Sequence, residues 1–231
     1  MSLGHGASIV RNGLVLQLDA ANVKSYPGSG TTWNDLSGNG RNGTLVNLPT
    51  FDNGSFTFDG ATQYVDLGAT QFNTASGTIS FWVKFTNTIT SGYTGNQRPF
   101  GSNGDFELRW GGDTGDSNRY LSADLGFSNT IPNVLYSTTN TWFNTKWYNV
   151  SITWVSSSTS SAVYVDGVLE RTGTTAATST LIALTGTAYI ARSASGGYLA
   201  GQIPLFQAYN RSLTATEIQQ NFNALRGRYG I

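Results

Sequence analysis

The sequence predicts an all-β protein, an antiparallel two-sheet jelly-roll sandwich with one short C-terminal helix. Short segments of alternating apolar and polar residues, separated by turn-forming residues, follow one another along most of the chain. The chain contains 28 glycines and 13% aromatic residues, a composition that suits pleated strands joined by tight turns. Its 231 residues are enough to bury one large core.

Strands are predicted wherever apolar side chains recur at every second position. In Thr78–Phe85 and Trp147–Val155 this alternation gives each strand one apolar face. In Ser161–Arg171, Asp166-Gly167 lies between β-branched residues, which predicts a hairpin with a two-residue type I′ turn. Weaker alternation predicts strands at Leu14–Asp19, Ser55–Phe58, Tyr64–Leu67, Phe106–Trp110, Tyr120–Leu125, Ala188–Ala191 and Ile203–Tyr209. About ten strands are enough for two sheets.

One helix is predicted near the C-terminal end, over about residues 215–226. Thr214 and Glu217 form a capping box, in which each side chain satisfies a backbone N–H group at the helix start. The apolar residues that recur at helical spacing are Ile218, Phe222 and Leu225. Gly227 is expected to end the helix. No boundary interrupts residues 13–231, so we expect a single domain there, preceded by an N-terminal arm at residues 1–12.

The composition argues against several classes of function. Thirteen basic and thirteen acidic residues give a formal net charge of zero, so neither nucleic acid nor a membrane surface is an expected partner. The chain has no cysteine and one histidine, His5, which excludes cysteine chemistry and histidine-rich zinc sites. We find no secretion-signal pattern and no run of about 18 apolar residues, and we expect a soluble, unprocessed chain.

Several motifs, in order along the chain, resemble those of a known family. They are Gly13–Asn22, Trp33–Gly43, Phe58–Val65, Ile79–Lys84, Trp147 with Tyr164–Gly167, and Gly201–Ile218. These segments resemble laminin G-like domains of the concanavalin A-like lectin/glucanase superfamily, and the resemblance implies that superfamily's jelly-roll fold. Gly28–Trp33 and the tail Glu217–Gly230 resemble a branch found in structural proteins of tailed bacteriophages.

The acidic residues do not form an obvious catalytic pair. The chain has three widely separated glutamates, which are Glu107, Glu170 and Glu217. Asp105 and Glu107 lie on one strand face about 7 Å apart, a spacing that glycosidases tolerate. The chain nevertheless lacks the Glu-x-Asp-x-x-Glu signature of the glucanases that it resembles. His5 lies in a glycine-flanked arm, and Gly111–Gly115 lacks the lysine of a phosphate loop. We therefore expect no enzyme.

A calcium site is one hypothesis for the loop that follows Trp33. Oxygen-bearing side chains alternate at Asp35, Ser37 and Asn39 before a glycine, a pattern that suits calcium. The resemblance implies an acid in a Gly-x-Ile-Asp closing strand, but Pro204 stands at that position. By family position, Asp19 and Asp35 are the remaining charged candidates for a structural calcium. The alternative is that these polar side chains form hydrogen-bonded turns.

Aromatic side chains are the candidates for glycan binding, because an exposed ring can stack on a sugar face. Trp110, with Arg109 beside it and a glycine after it, is the first candidate, followed by Trp33 and Tyr198. The alternative is that these large aromatic side chains belong to the core.

The favoured hypothesis is a non-enzymatic virion protein of a tailed bacteriophage, either a capsid decoration or a tail-fibre component. It would bind other virion proteins or a host-surface glycan, and a closed homo-oligomer such as a trimer is expected on a symmetric particle. The alternative is a carbohydrate-binding lectin module, and a glycoside hydrolase is the least favoured hypothesis.

Overall fold

The structure is a computed structural model that describes residues 8–69, 76–91, 93–102, 106–111, 119–125, 133–155, 161–173, 186–193 and 196–231. Within these ranges the chain forms two antiparallel β-sheets and one C-terminal α-helix. The predicted all-β, two-sheet sandwich with a short C-terminal helix is therefore confirmed. His5, Asp105 and the glycine-rich residues 112–115 lie outside the described residues.

One sheet has nine strands. They are β1 (Leu14–Asp19), β4 (Thr50–Asp52), β5 (Ser55–Asp59), β7 (Ser76–Phe85), β12 (Tyr148–Val155), β13 (Ser161–Val165), β14 (Val168–Gly173), β16 (Ala200–Ile203) and β17 (Leu205–Tyr209), numbered in chain order. The strand order is β14-β13-β12-β7-β16-β5-β4, and β17 also pairs with β7 and carries β1 on its other edge. The long strand β7 therefore pairs with three strands, β12, β16 and β17.

The other sheet has eight strands. They are β2 (Thr32–Trp33), β3 (Gly43–Val46), β6 (Tyr64–Ala69), β8 (Asn96–Ser102), β9 (Phe106–Gly111), β10 (Ser122–Leu125), β11 (Asn133–Tyr136) and β15 (Thr187–Ile190). Their order is β11-β10-β9-β8-β15-β6-β3-β2. The main core lies between the two sheets and takes every second side chain of the central strands.

The strongest local signals are confirmed in detail. Asp166 and Gly167 both have positive φ angles, 50° and 76°, as a type I′ turn requires, and they join β13 to β14. The helix α1 spans Ala215–Leu225 and begins with the predicted capping box of Thr214 and Glu217. β1 has the bounds that its alternating pattern predicts.

Two boundary predictions are wrong for identifiable reasons. The strand predicted at Ile203–Tyr209 is split, because Pro204 has no N–H group to donate, and β16 and β17 pair with different strands on either side of it. Gly227 does not end the helical segment. The chain continues in a 3-10 turn at Arg226–Tyr229, and Gly230 adopts the left-handed conformation instead, with φ 73°.

The C-terminal helix covers the side of the nine-stranded sheet that faces away from the main core. Trp82 points away from the main core, yet it is fully buried beneath Phe222 and Tyr229, with ring centroids 5.8 and 4.0 Å away. The described part of the predicted N-terminal arm also packs here, because the Val10 N–H donates to Asn221 Oδ1 at 2.7 Å. This face is therefore occupied by the chain itself.

Candidate binding surface

Trp110 lies in the core rather than on the surface. Its side chain is 0% exposed, and its ring packs edge-on against Phe85 and Trp142, with centroids 4.9 and 5.0 Å away. The prediction of an exposed sugar platform at Trp110 is therefore wrong. The reason is strand parity, because Trp110 shares its face of β9 with the core residues Phe106 and Leu108.

Trp33 is also buried, so it offers no stacking platform. Its ring is 0% exposed and packs edge-on against Phe56 at 4.8 Å. Trp154 is fully buried as well and packs against Phe106 at 5.1 Å. These indoles supply core volume, which is the alternative that the sequence left open.

A row of side chains crosses the outer face of the eight-stranded sheet. The strand register pairs Asp66 with Tyr189, Tyr189 with Gly101, Gly101 with Glu107, and Glu107 with Asp124. Residues directly opposite each other in antiparallel strands point to the same face. Their neighbours along each strand are core residues, so the row faces away from the core. We call this surface the outer face.

Two of the residues predicted for glycan binding lie at the outer face. Arg109 is two positions from Glu107 on β9, so its side chain shares the outer face, where it is half-buried. Tyr198 is also half-buried and pairs with Arg192 in an isolated β-bridge. The outer face therefore brings Arg109 and Tyr198 to one side of the sandwich, whereas Trp33 and Trp110 point inward.

A turn after β15 crosses directly above Gly101. The Ser193 N–H donates to the carbonyl of Gly197 at 3.1 Å, which closes the turn between Arg192 and Tyr198. A Cβ atom at Gly101 would lie 2.8 Å from the Cα of Ser193. Because that approach is too close for any side chain, glycine at position 101 lets the turn lie flat on the sheet.

Three tyrosines surround the guanidinium of Arg192. It lies 4.7 Å from the ring centroid of Tyr64, 4.8 Å from Tyr189 and 5.8 Å from Tyr198. Tyr64 and Tyr189 meet edge-on at 5.6 Å, and Tyr64 and Tyr198 are tilted at 6.3 Å. All four side chains are half-buried. We call these four residues the tyrosine–arginine cluster.

Arg192 has no carboxylate partner among the described residues. Its Nε–H group is buried and donates no hydrogen bond within the described part of the chain. The nearest acid in the register, Asp66, accepts a hydrogen bond from the Gly68 N–H at 2.7 Å. The attraction of the three aromatic rings is thus what holds this cation in place.

Arg98, a neighbouring arginine, differs from Arg192 because it is paired with an acid. The Arg98 guanidinium pairs with Glu107, and it also donates to the carbonyl of Gly111 at 3.4 Å. Glu107 in turn accepts a hydrogen bond from the Ser193 hydroxyl at 3.3 Å. Arg98 is therefore neutralised locally and helps to anchor the turn, whereas the charge of Arg192 is not neutralised by a described acid.

The residues proposed for calcium are occupied by hydrogen bonds. The Asp35 carboxylate accepts the backbone N–H groups of Gln17, Ser37 and Arg41 at 2.8 to 3.1 Å, and it accepts the Ser37 hydroxyl at 2.7 Å. The Asn39 amide donates to that same hydroxyl oxygen at 2.9 Å. Donors thus surround these oxygens, which is the hydrogen-bonded-turn alternative.

Asp19 is held by an arginine. Arg228 pairs with both of its carboxylate oxygens, at 2.8 and 2.9 Å. Pro204 lies beside it in the fold, and its carbonyl accepts the Ala20 N–H at 2.9 Å. The described residues contain no group of three His, Cys, Asp or Glu side chains that could hold a metal ion. The side chains at Asp19 and Asp35 therefore do not fit a calcium ion.

We expect calcium to leave the stability of the chain unchanged. Because the carboxylate oxygens of Asp19 and Asp35 already accept hydrogen bonds, millimolar calcium added to chelator-treated protein should move the melting temperature by less than about 1 °C. Differential scanning fluorimetry with magnesium as the control measures this. A rise of several degrees that grows with calcium concentration and is absent with magnesium would contradict the expectation.

All three glutamates have structural partners. Glu107 pairs with Arg98, and Glu170 accepts hydrogen bonds from the backbone N–H groups of Thr138 and Thr139 at 2.8 and 3.0 Å. Glu217 is paired with an arginine, whose hydrogen bonds are the main reason that its pKa is lowered to about 2. Each carboxylate thus stabilises a turn, a loop or a helix start.

A shallow groove lies between α1 and the β13–β14 hairpin. It has a volume of about 690 Å³, and its lining includes Val168, Leu169, Ala215 and Gln219. Val168 is 61% exposed and Leu169 is 47% exposed, so the hairpin presents two adjacent apolar side chains to solvent beside the helix. Among the described residues, no helix is both long and apolar enough to cross a membrane.

Three of the four residues of the tyrosine–arginine cluster, Tyr64, Tyr189 and Arg192, are not predicted from the sequence. Tyr64 and Tyr189 have a usable signal, because each alternates with core residues on a predicted strand and so must face outward. Arg192 has no such signal, since it lies in a turn whose position depends on Gly101 of another strand.

Comparison with known proteins gives one family match. A family model named Laminin_G_3, described as concanavalin A-like lectin/glucanases superfamily, matches residues 59–219. This range includes the whole tyrosine–arginine cluster. No curated protein sequence matches the chain.

Solved structures share the fold at low sequence identity. The binding domain of botulinum neurotoxin DC in complex with rat synaptotagmin II aligns with TM-score 0.69 and 15% identity, over 94% of this chain and 52% of that one. The same toxin domain in complex with SialylT aligns with TM-score 0.65 and 16% identity, over 93% and 52%. Trypanosoma rangeli sialidase aligns with TM-score 0.67 and 18% identity, over 100% and 36%. The chain thus spans about half of the toxin domain and about a third of the sialidase.

Proposed function

Because this chain belongs to the Laminin_G_3 family of the concanavalin A-like lectin/glucanases superfamily, we propose that it is a non-enzymatic binding module whose ligand is a glycan or another protein. The observation that carries the proposal is the tyrosine–arginine cluster. It places three half-buried aromatic rings and a cation on a face that α1 leaves open. Aromatic rings with a few polar groups form many ligand sites in proteins.

The state of the acidic residues supports binding rather than hydrolysis. A glycosidase needs two carboxyl groups flanking one bond, of which one accepts or donates a proton. Here Glu107, Glu170 and Glu217 each have a partner within the fold, and they lie in separate parts of it. On the outer face Glu107 lies opposite Asp124, but its carboxylate is held by the ion pair with Arg98.

The structural neighbours support both classes of ligand. One toxin structure is a complex with rat synaptotagmin II, another is a complex with SialylT, and one of the sialidase structures is a complex with sialic acid. At this level of identity they show the fold alone. They support the proposal because this sandwich occurs in proteins that bind partners of either class.

We further propose that the module belongs to the virion of a tailed bacteriophage, as a capsid decoration or tail-fibre component in a homo-oligomer. The resemblance of Gly28–Trp33 and Glu217–Gly230 to phage structural proteins supports this role. The exposed Val168 and Leu169 beside α1 also support it, since protein interfaces cover apolar side chains of this kind.

Mass spectrometry of purified phage particles tests the virion role. We expect peptides of this chain in particles that survive density-gradient purification, in a fixed ratio to the major capsid protein. Particles without these peptides, prepared from cells that express the chain, would contradict the virion role. In that case, glycan binding by the purified chain would favour the lectin alternative, and release of reducing ends from a bound glycan would contradict the non-enzymatic proposal.

A further inference from the structure

Arg192 has no acidic partner among the described residues, and this points to the chemical class of the ligand. We propose that the tyrosine–arginine cluster binds a saccharide that carries a carboxylate, with Arg192 holding the carboxylate and the tyrosines lying against the sugar ring. This inference rests on the proposed function as a binding module and specifies its ligand.

Three other buried or half-buried arginines have acidic partners within the fold, whereas Arg192 has none among the described residues. Arg98 pairs with Glu107, Arg211 with Glu217, and Arg228 with Asp19. Each of these ion pairs is internal to the fold. For Arg192, no described carboxylate comes within ion-pair distance, and its Nε is buried without a partner. A partly desolvated cation without an acceptor is costly, so an external anion would stabilise it.

Nε is the buried, unpartnered nitrogen of Arg192 in the described chain, so the terminal edge of the guanidinium is the part left for a ligand. A guanidinium that stacks on rings uses its flat faces, whereas its N–H groups lie in the plane and point outward. Tyr64, Tyr189 and Tyr198 contact Arg192 at 4.7 to 5.8 Å. The planar fork that remains matches the two oxygens of a carboxylate. The rings thus orient Arg192 before any ligand arrives.

The tyrosine rings supply the surface for the rest of the sugar. Tyr64 and Tyr189 meet almost at right angles, with an interplanar angle of 82°. Because each ring is half-buried, part of it remains open to solvent. Two perpendicular rings form a corner rather than a flat patch, and a corner can contact one face and one edge of a pyranose ring while Arg192 holds its carboxylate.

The charge around the cluster favours a ligand with few negative charges. The chain has a formal net charge of zero, and Arg98 nearby is already paired with Glu107. Asp66, on the strand beside Tyr189, is also close by and would repel a densely charged ligand. Polysulfated chains need extended basic patches, so a sugar with a single carboxylate per residue fits this site better.

The test compares binding of acidic, sulfated and neutral glycans. An array that holds uronic-acid, sialylated, sulfated and neutral saccharides is probed with the purified chain, and the affinities of the bound saccharides are measured by calorimetry. We expect carboxylated saccharides to bind, and we expect their methyl esters, which keep the ring and lose the charge, to bind at least about tenfold more weakly.

Arg192→Gln is the matching protein variant. We expect it to weaken the binding of the carboxylated saccharide at least about tenfold. The control Arg171→Gln removes an exposed arginine from β14 of the other sheet, and we expect it to leave the affinity unchanged. Circular dichroism checks the fold of both variants. The ester comparison uses the unmodified chain alone, so it decides the question even if Arg192→Gln lowers stability.

Three outcomes would overturn the inference. If the chain binds saccharides and their methyl esters equally, or if Arg192→Gln binds as well as the unmodified chain, the inference is wrong while the binding-module function stands. If the chain holds no carboxylated saccharide at millimolar concentration, the inference also fails. The binding-module function falls only if the chain binds neither a glycan nor another virion protein.

Discussion

Replacing Trp110 with alanine should lower the free energy of unfolding by about 3–5 kcal/mol. The expected loss is large because the indole is fully buried between the two sheets, where it contacts Phe85 and Trp142. Its removal costs the burial energy of the ring and also leaves a cavity that the rigid sandwich fills only partly. Urea denaturation followed by far-ultraviolet circular dichroism measures this loss.

Tyr198→Ala is the matched control for Trp110→Ala. Tyr198 is an aromatic residue of the same predicted glycan-binding set, but it is half-buried at the outer face. We expect its replacement to cost only about 1 kcal/mol of stability and to weaken ligand binding. If Trp110→Ala kept full stability and abolished ligand binding instead, the indole would be a surface platform and our placement of the site would be wrong.

Replacing Glu107 with glutamine should destabilise the chain by about 3 kcal/mol. The Glu107 side chain is 23% exposed and its partner Arg98 is 7% exposed, so the variant removes the negative charge that Glu107 supplies to a buried cation. The loss stays at the lower end of the range for broken buried pairs because Arg98 still donates to the carbonyl of Gly111. Chemical denaturation at neutral pH measures the change.

Asp52→Asn is the control for the loss of a negative charge. Asp52 is exposed, and among the described residues its carboxylate accepts a hydrogen bond only from the side chain of Asn53. We therefore expect a change within about 0.5 kcal/mol. The Glu107→Gln result also bears on catalysis. A variant that kept its stability but lost a measurable glycan-cleaving activity would make Glu107 a catalytic group and contradict the non-enzymatic proposal.

Much of the fold could be predicted because its signals are local. The type I′ turn at Asp166-Gly167 needs positive φ angles, and few residue pairs adopt them without strain. The capping box at Thr214 and Glu217 satisfies two backbone groups within four residues. In both cases the physical cause and its effect lie in one short segment.

Elements that depend on distant contacts were harder to predict. Strand β8, Asn96–Ser102, contains Pro99 and several polar residues, so it lacks an alternating pattern, yet it forms the centre of the eight-stranded sheet. The split at Pro204 depends on which strands lie on either side. The bounds of these strands depend on which strands lie beside them, and the residue pattern within one segment does not show those neighbours.

The binding surface was only partly predictable, for a related reason. Every second residue of β9 points to the core, and Trp110 shares this alternation with Phe106 and Leu108. The prediction of an exposed indole gave more weight to the neighbouring Arg109 and to the glycine that follows. Tyr198, predicted as a ligand-binding residue, is half-buried at the outer face, and its role in binding stays a prediction. Arg192 enters the cluster only through the folded turn above Gly101.

The most direct test of the account is a crystal structure of the chain in complex with a carboxylated saccharide that it binds. Our account predicts an uncleaved ligand on the outer face, with its carboxylate within hydrogen-bond distance of the Arg192 guanidinium and its ring against Tyr64 and Tyr189. A ligand bound at another surface, or a cleaved ligand beside Glu107, would contradict it.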